Sequence, residues 1–549
     1  MNDRRVTRSR PLRGERVSSD ARRTTPASGV PGGTAPRAAG RVQGSRMSPV
    51  DQGHMQNDRA NQSAEEALLD FLSDPTSYTP EPSGVRIVQT HISYVALAPP
   101  PVMKVKKSVD LGFLDFSTLS LRRRYCEREV RLNSRLSPDL YAGVVPITRQ
   151  KDGSLAFDGA GEPVEFAVQM HYLSPDGFLH NLATRGDLER SHLERLIEVL
   201  VPFYSQEPDP KSARFGRLAA IEAANRENFD VKQAAGRAVS VSAFRFLRSR
   251  TQLFLRTHAA LFNHRRAAGW IVDGHGDLRL DHIHAGRRTL SVYDCIEFND
   301  RFRCLDVASD LAFLAMDLDS RGNPELARWF VRRMAEELDD PDMERLVDFY
   351  KCYRACVIGK TAAIRSEQKE VPEAERRKSL KEARRHYRLA VRYALTRNRP
   401  AVLAVTGRPA TGKTLVAQRL QDSTGWRALS SDRTRKRLAG VAAHDRCEGA
   451  ERARLYSAEM TRKTYAALRD AAVRLSVGSG AGVVLDATYS SPDERQCLRD
   501  ELRALSIPYC FVELSAPEAV LKERLACREE EAGLVSDARL EDFDQLNRR

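Results

Sequence analysis

The chain has 549 residues, 41% of them hydrophobic, and a formal net charge of +14. That length suits two to four domains with real cores, and no apolar run reaches the roughly 18 residues needed to span a bilayer. Nine scattered cysteines, with no Cys-x-x-Cys pair, argue against a disulfide framework or zinc site and fit reduced thiols in a cytoplasm. The positive charge is dispersed and no nucleic-acid-binding motif accompanies it, so phosphate-rich small substrates or plain high-Arg composition explain it as well as a nucleic-acid partner would.

Residues 1–62 are rich in Arg, Ser, Gly, Pro and Ala. They cannot bury enough apolar surface to offset their ordering entropy, and a disordered basic tail is expected. Met47 and Met55 are alternative starts. A short helix is expected over 64–72 and strands over 85–97. Val102-Met103-Lys104-Val105-Lys106-Lys107 then reads as a strand, whose period of two puts Lys104 and Lys106 on one face. Residues 121–136 read as a helix. A strand lysine followed by a helix glutamate is the ion-pair arrangement of kinase small lobes. Glu129 is the first choice for the partner and Glu127 the second. Further strands are expected over 144–172, and helices from 182 to 200 and between 213 and 268.

Residues 271–283 contain His275-Gly276-Asp277, with His282 five residues after the aspartate. A strand-like run, Leu290-Ser291-Val292-Tyr293-Asp294, follows. This resembles the catalytic core of the aminoglycoside phosphotransferase-like kinases, whose loop reads H-G-D-x-x-x-x-N. The resemblance implies that Asp277 orients or deprotonates an acceptor hydroxyl, and that Asp294 and the residue at 282 hold Mg²⁺. His282 departs from the family's Asn, and Mg²⁺ prefers hard oxygen ligands. An altered metal site, a missing second ion or a weak lobe are the alternatives. Asp306 and Asp310 resemble the aspartates that brace such a loop. Cys352 and Cys356, one helical turn apart, read as buried packing. Residues 372–397 form a basic helix with Lys381, Arg384, Arg385, Arg388 and Arg392, expected to be a solvated connector.

Ala401 to Thr406 reads as a buried strand. Gly407-Arg408-Pro409-Ala410-Thr411-Gly412-Lys413-Thr414 then fits G-x-x-x-x-G-K-[ST], and a helix follows. In that setting backbone N–H groups and a helix N-terminus cradle phosphates, Lys413 reaches the β/γ-phosphates and Thr414 ligates Mg²⁺. A strand over 426–432 ends in Asp432, with Arg435 beyond it. Residues 482–488 form another strand, placing Asp486 near the Mg²⁺. Arg524 and Arg528 lie one turn apart on a helix, followed by Glu529 to Ser536. These features resemble small P-loop kinases of the zeta-toxin and gluconate/shikimate-kinase type. The resemblance implies that Asp432 is the base, Arg435 a substrate ligand, and Arg524 and Arg528 part of a closing lid. The last strand of such a sheet is hard to find, so a short sheet or a truncated end is expected.

The order resembles a bacterial two-module family, an aminoglycoside phosphotransferase-like kinase domain fused to an AAA-type P-loop domain. The expected fold class is α/β and α+β: a protein-kinase-like fold, then a parallel P-loop sheet with flanking helices. The expected divisions are a tail over 1–62, the kinase-like domain over 63–370, a helical linker over 371–399 and the P-loop domain over 400–549. The expected chemistry is ATP- and Mg²⁺-dependent phosphoryl transfer to a small-molecule hydroxyl in the cytoplasm. Lys104, Lys106 and Glu129 serve the first nucleotide site, and no membrane partner is involved. A nucleotide-binding regulator is the rival.

Overall fold

The structure, a computed structural model, describes residues 63–207, 209–230, 235–287, 289–396, 400–478, 482–530 and 540, with side chains up to Cys527 in the last long helix. The expected basic tail and the segment beyond Glu530 lie outside them. The chain divides into Met1–Glu66 and Ala67–Arg549; the second unit holds everything that follows. Among the described residues, no helix is long and apolar enough to cross a membrane.

The unit begins with six antiparallel strands, β1 (Arg86–Gln89), β2 (Ser93–Leu97), β3 (Pro101–Lys106), β4 (Tyr141–Arg149), β5 (Leu155–Phe157) and β6 (Glu162–His171). Their order is β1-β2-β3-β6-β4-β5. One helix, α1 (Leu119–Asn133), interrupts them, capped by the Thr118 hydroxyl, which accepts from the Leu121 N–H. Cys126, Glu129 and Leu132 are buried at helical spacing, so a carboxylate shares the core-facing stripe with a thiol and a leucine. Such a charge persists in a core only where it is paired.

The large lobe is helical around small strands. Its principal pieces are α2 (Arg190–Tyr204), α3 (Val241–Thr257), β7 (Ile271–Asp273), β8 (Ile283–Ala285), β9 (Leu290–Val292), β10 (Cys304–Asp306), α4 (Val307–Ser320) and α5 (Met343–Glu367). From Val307 to Leu318 every residue of α4 is buried, making it the axis of the lobe. Arg265 is fully buried, donating twice to Asp306 at 2.7 and 2.8 Å and once to Asp340 at 2.6 Å. Asp306 also caps α4 at the Ala308 N–H.

The basic helix α6 (Glu373–Thr396) corrects the expectation of a solvated connector. Ala383, Tyr387, Leu389, Ala390, Val391 and Tyr393 are buried, and several join Cys352, Ala355 and Cys356 of α5 in one cluster. Gly359 permits the approach, because a Cβ there would meet the Tyr387 ring at 3.1 Å. Tyr393 donates to the Asp319 carboxylate at 2.5 Å, and Lys351 pairs with the same group at 3.0 Å. The arginines the sequence displays so plainly occupy only one side of the helix.

The final module comprises β11 (Val402–Gly407), α7 (Lys413–Thr424), β12 (Arg427–Ser430), α8 (Ser431–Ala439), α9 (Ala458–Gly478), β13 (Val483–Asp486), α10 (Pro492–Ala504), β14 (Tyr509–Leu514) and α11 (Glu518–Glu530). The four strands are parallel in the order β12-β13-β11-β14. Apolar clusters cover both faces, as a parallel sheet requires. The strand expected over 426–432 stops at Ser430, and Asp432 already lies in the first turn of α8.

His386 of α6 is buried, and burial pushes its imidazole down to about 4, against the Glu382 carbonyl 3.0 Å away. An unfolded histidine takes up its proton near 6.5. Lowering the pH from about 6.5 to about 4 therefore favours the unfolded chain, by up to about 3 kcal/mol from this residue. Urea midpoints should fall across that window, and His386→Gln should flatten the part of the slope that His386 supplies.

Candidate functional site

Chemistry-bearing residues gather at two places. The first lies where the six-stranded sheet meets the large lobe. Lys104 and Lys106 alternate onto one face of β3, and both reach Glu129. Lys104 Nζ lies 2.8 Å from Glu129 Oε1 and 2.6 Å from Asp294 Oδ1. Lys106 Nζ lies 2.7 Å from Glu129 Oε2 and 2.5 Å from Glu297 Oε1. Glu127, the second choice, is exposed and pairs with Arg123. Burial alone would strip the proton from Lys104, but Asp294, Glu129 and Glu297 outweigh it and hold the ammonium well above the usual lysine range. Burial likewise opposes the charge on Glu129, and the two lysines overcome it.

The His275–Asp277 loop follows β7. Asp310 of α4 fixes it by accepting from the His275 N–H at 2.6 Å, the Gly276 N–H at 3.0 Å and the Tyr204 hydroxyl at 2.8 Å. Gly276 has φ 86°, and a Cβ would sit 2.8 Å from the Phe302 carbonyl. The Asp277 carboxylate is gripped by Arg279 at 2.8 and 3.0 Å. Burial pushes its pKa up, but Arg279, His282 and His275 prevail and hold the carboxyl below the usual range. His282 Nδ1 lies 2.8 Å from the Asp277 carbonyl, and its Nε2 faces Asp294 Oδ2 at 3.5 Å. Asp294 is left-handed, φ 63°, and despite burial its carboxyl is held far below the usual range, chiefly by Lys104 and His282.

The second place is the edge of the parallel sheet. β11 ends at Gly407, where φ is 131° and a Cβ would meet the Leu514 carbonyl at 2.3 Å. Ala410 and Gly412 are also left-handed, φ 63° and 94°, which turns the chain from strand into α7. Thr411 Oγ1 and Lys413 Nζ both donate to the Arg408 carbonyl at 2.8 Å, closing the loop around Pro409. Parallel register places Asp486 beside Val405, and Thr414 Oγ1 donates to Asp486 Oδ2 at 2.8 Å. Ser430 pairs with Asp486 across β12 and β13, so Asp432 begins a helix at the same edge. Arg524 of α11 donates to the Ala410 carbonyl at 3.1 Å. The side chain of Arg528 lies outside the described residues.

Arg435 departs from its expected place. It is buried, donating to the Leu455 carbonyl at 3.1 Å and Thr461 Oγ1 at 3.0 Å, with its guanidinium 4.8 Å from the Tyr456 ring centre. A residue this engaged braces the helices behind the sheet edge. Glu297 and Arg279 were not singled out from the sequence. The signal for Glu297 was an acid three residues past Asp294, in the apolar setting of Cys295 and Ile296.

The donor chemistry tests the metal each place implies. Thr414 and Asp486 present two hard oxygens at one point and fit Mg²⁺. Around Asp294 an imidazole nitrogen, that of His282, stands where an oxygen would be needed, and Lys104 already occupies one carboxylate oxygen. Among the described residues, no group of three or more metal-ligating His, Cys, Asp or Glu side chains occurs.

Together the elements make a two-part chain, a six-stranded antiparallel sheet with a helical lobe followed by a parallel-sheet P-loop module. Residues 402–549 match the family described as AAA domain. Over 475 residues the chain is 32% identical to the uncharacterized protein Rv2004c of Mycobacterium tuberculosis, covering 86% of this chain and 91% of that one. The chain belongs to the family of that mycobacterial protein. Among solved structures, a gluconokinase from Sinorhizobium meliloti is 18% identical with a TM-score of 0.20, covering 27% of this chain and 74% of that one. The amicoumacin kinase hAmiN is 12% identical with a TM-score of 0.35, covering 61% and 95%.

Glu129→Gln should leave two buried ammonium groups short of a counter-charge and cost about 3 kcal/mol. Amide hydrogen exchange in β3 reads this directly: it should accelerate in Glu129→Gln and stay unchanged in Glu127→Gln.

Proposed function

We propose that this protein is an ATP-dependent phosphotransferase acting on the hydroxyl of a small molecule, with the P-loop module as its principal catalytic site. The observation that carries the reading is the Thr414–Asp486 contact of 2.8 Å beside the left-handed loop. Backbone N–H groups of Arg408 and of residues 410–414, at the N-terminus of α7, would bind the β-phosphate. Thr414 and Asp486 would hold Mg²⁺, which when bound neutralises charge on the β- and γ-phosphates. Lys413 would exchange the Arg408 carbonyl for phosphate oxygens. The acceptor oxygen attacks the γ-phosphorus as the bond to the β–γ bridging oxygen breaks, and Asp432 takes the acceptor's proton. Arg524 would sense the loop from α11. We place this chemistry in the cytoplasm, because nine cysteines with no Cys-x-x-Cys pair suit reduced thiols.

For the kinase-like domain we propose nucleotide binding through Lys104, held by Glu129, with Lys106 as a second interlobe tie. Two observations favour a regulatory role there over transfer: Arg279 holds the Asp277 carboxylate, and His282 stands at the metal position. We keep the division at 63–370 and 400–549, and assign α6 to the packing of the first domain.

ATP consumption against a panel of sugars, polyols and aminoglycosides tests both roles. Lys413→Ala should lower acceptor-stimulated turnover about 10²- to 10³-fold, as loss of a phosphate-stabilising cation does. Asp277→Ala should leave it within about threefold if the first domain only binds nucleotide, a difference of under about 1 kcal/mol. Full turnover in Lys413→Ala would reverse the assignment of the two domains. Nucleotide binding with no stimulation by any acceptor would favour a regulator.

A further inference from the structure

A cavity of about 240 Å³ opens where the start of α3, the middle of α6 and the last turn of α7 meet. Arg237, Arg384 and Arg388 stand in its wall, with Ser240, Tyr387 and Asp422. None of these belongs to either site above.

The two arginines of α6 in this wall are held by carbonyl oxygens, and among the described residues neither pairs with a carboxylate. Arg384 donates through Nε and Nη2 to the Arg237 carbonyl at 3.3 and 3.2 Å. Arg388 donates through Nε to the Asp422 carbonyl at 2.8 Å. A carbonyl fixes a guanidinium but brings no full counter-charge. Arg237 is partly satisfied by Glu367 at 3.1 Å. Asp422 is the one carboxylate in the wall, against three cations.

One more feature favours an anion. Ser240 caps α3, accepting from the Ala243 N–H at 3.2 Å, so the positive end of a 17-residue helix borders the cavity.

We propose that this cavity binds a small phosphate-bearing anion, at a site separate from both nucleotide sites. Forked guanidinium groups match pairs of phosphate oxygens, and their spare N–H groups are already oriented by the carbonyls behind them. The walls come from the kinase-like lobe, from α6 and from the helix that begins with Lys413. An anion shared by Arg384 and Arg388 therefore ties the far end of that helix to the first domain. Free phosphate and a phosphorylated metabolite share this chemistry.

The test uses the full chain saturated with Mg·ADP, so that both nucleotide sites are filled. Inorganic phosphate and glycerol 3-phosphate are titrated in parallel and followed by phosphorus NMR. One saturable site is expected. The double change Arg384→Gln and Arg388→Gln should raise its Kd about tenfold or more, the loss of charge-assisted bonds. Arg385→Gln, on the same helix but outside the wall, should change Kd by less than about twofold. Tighter binding of glycerol 3-phosphate would identify a metabolite as the source, and equal binding would identify the phosphate group alone. All three positions are exposed, and circular dichroism checks that the variants fold. Absence of saturable binding would overturn the proposal. So would an unchanged Kd in the double variant, or an equal loss in Arg385→Gln.

Discussion

A carboxylate with no access to solvent, Glu129, is the constraint on which the first domain is built. It lies on the buried stripe of α1, where an isolated charge would be untenable. Two ammonium groups from β3 make it tenable, and each reaches onward to a second acid on the large lobe. The chain of charges thus runs from helix to strand to the loop after β9. Removing any member strands the others, so the two lobes are held in register by electrostatics as much as by apolar contact. Within the cluster, Lys104 is the lysine that bridges Glu129 and Asp294.

The two sites differ in their readiness. At the sheet edge, Thr414 and Asp486 already meet, and Lys413 donates to the Arg408 carbonyl. In the kinase-like domain the corresponding acids are engaged by Arg279, His282 and Lys104. A ligand entering there must displace charge-assisted bonds, which are about twice as strong as neutral ones. This asymmetry gives the P-loop module the stronger claim to chemistry.

Much of this was legible in the sequence because the informative patterns are local. The phosphate loop needs glycine at fixed spacing, and its strand and helix flanks announce themselves by apolar runs. The alternation that puts Lys104 and Lys106 on one face needs only period two. The helix offered Glu129 first and Glu127 second, and it is Glu129 that meets the two lysines. What was not legible depends on partners far apart in the chain. Glu297 lies 191 residues from Lys106. Arg435 looked like a ligand because its neighbours Leu455 and Thr461 belong to later helices. The charge density of α6 masked its apolar stripe, because Lys381, Arg384, Arg385 and Arg388 fill exposed positions of the same helix.

The packing of α6 bears on how the protein can be taken apart. Its aromatic face completes the hydrophobic cluster of α5, and its other end is bonded to Asp319 beside the axial helix. Severing the chain ahead of this helix would uncover Cys352, Cys356 and the surface that Tyr387 shields, while giving the P-loop module an orphaned amphipathic extension. The packed unit around α5 therefore runs on through this helix, and a cut that spares its core falls after Thr396.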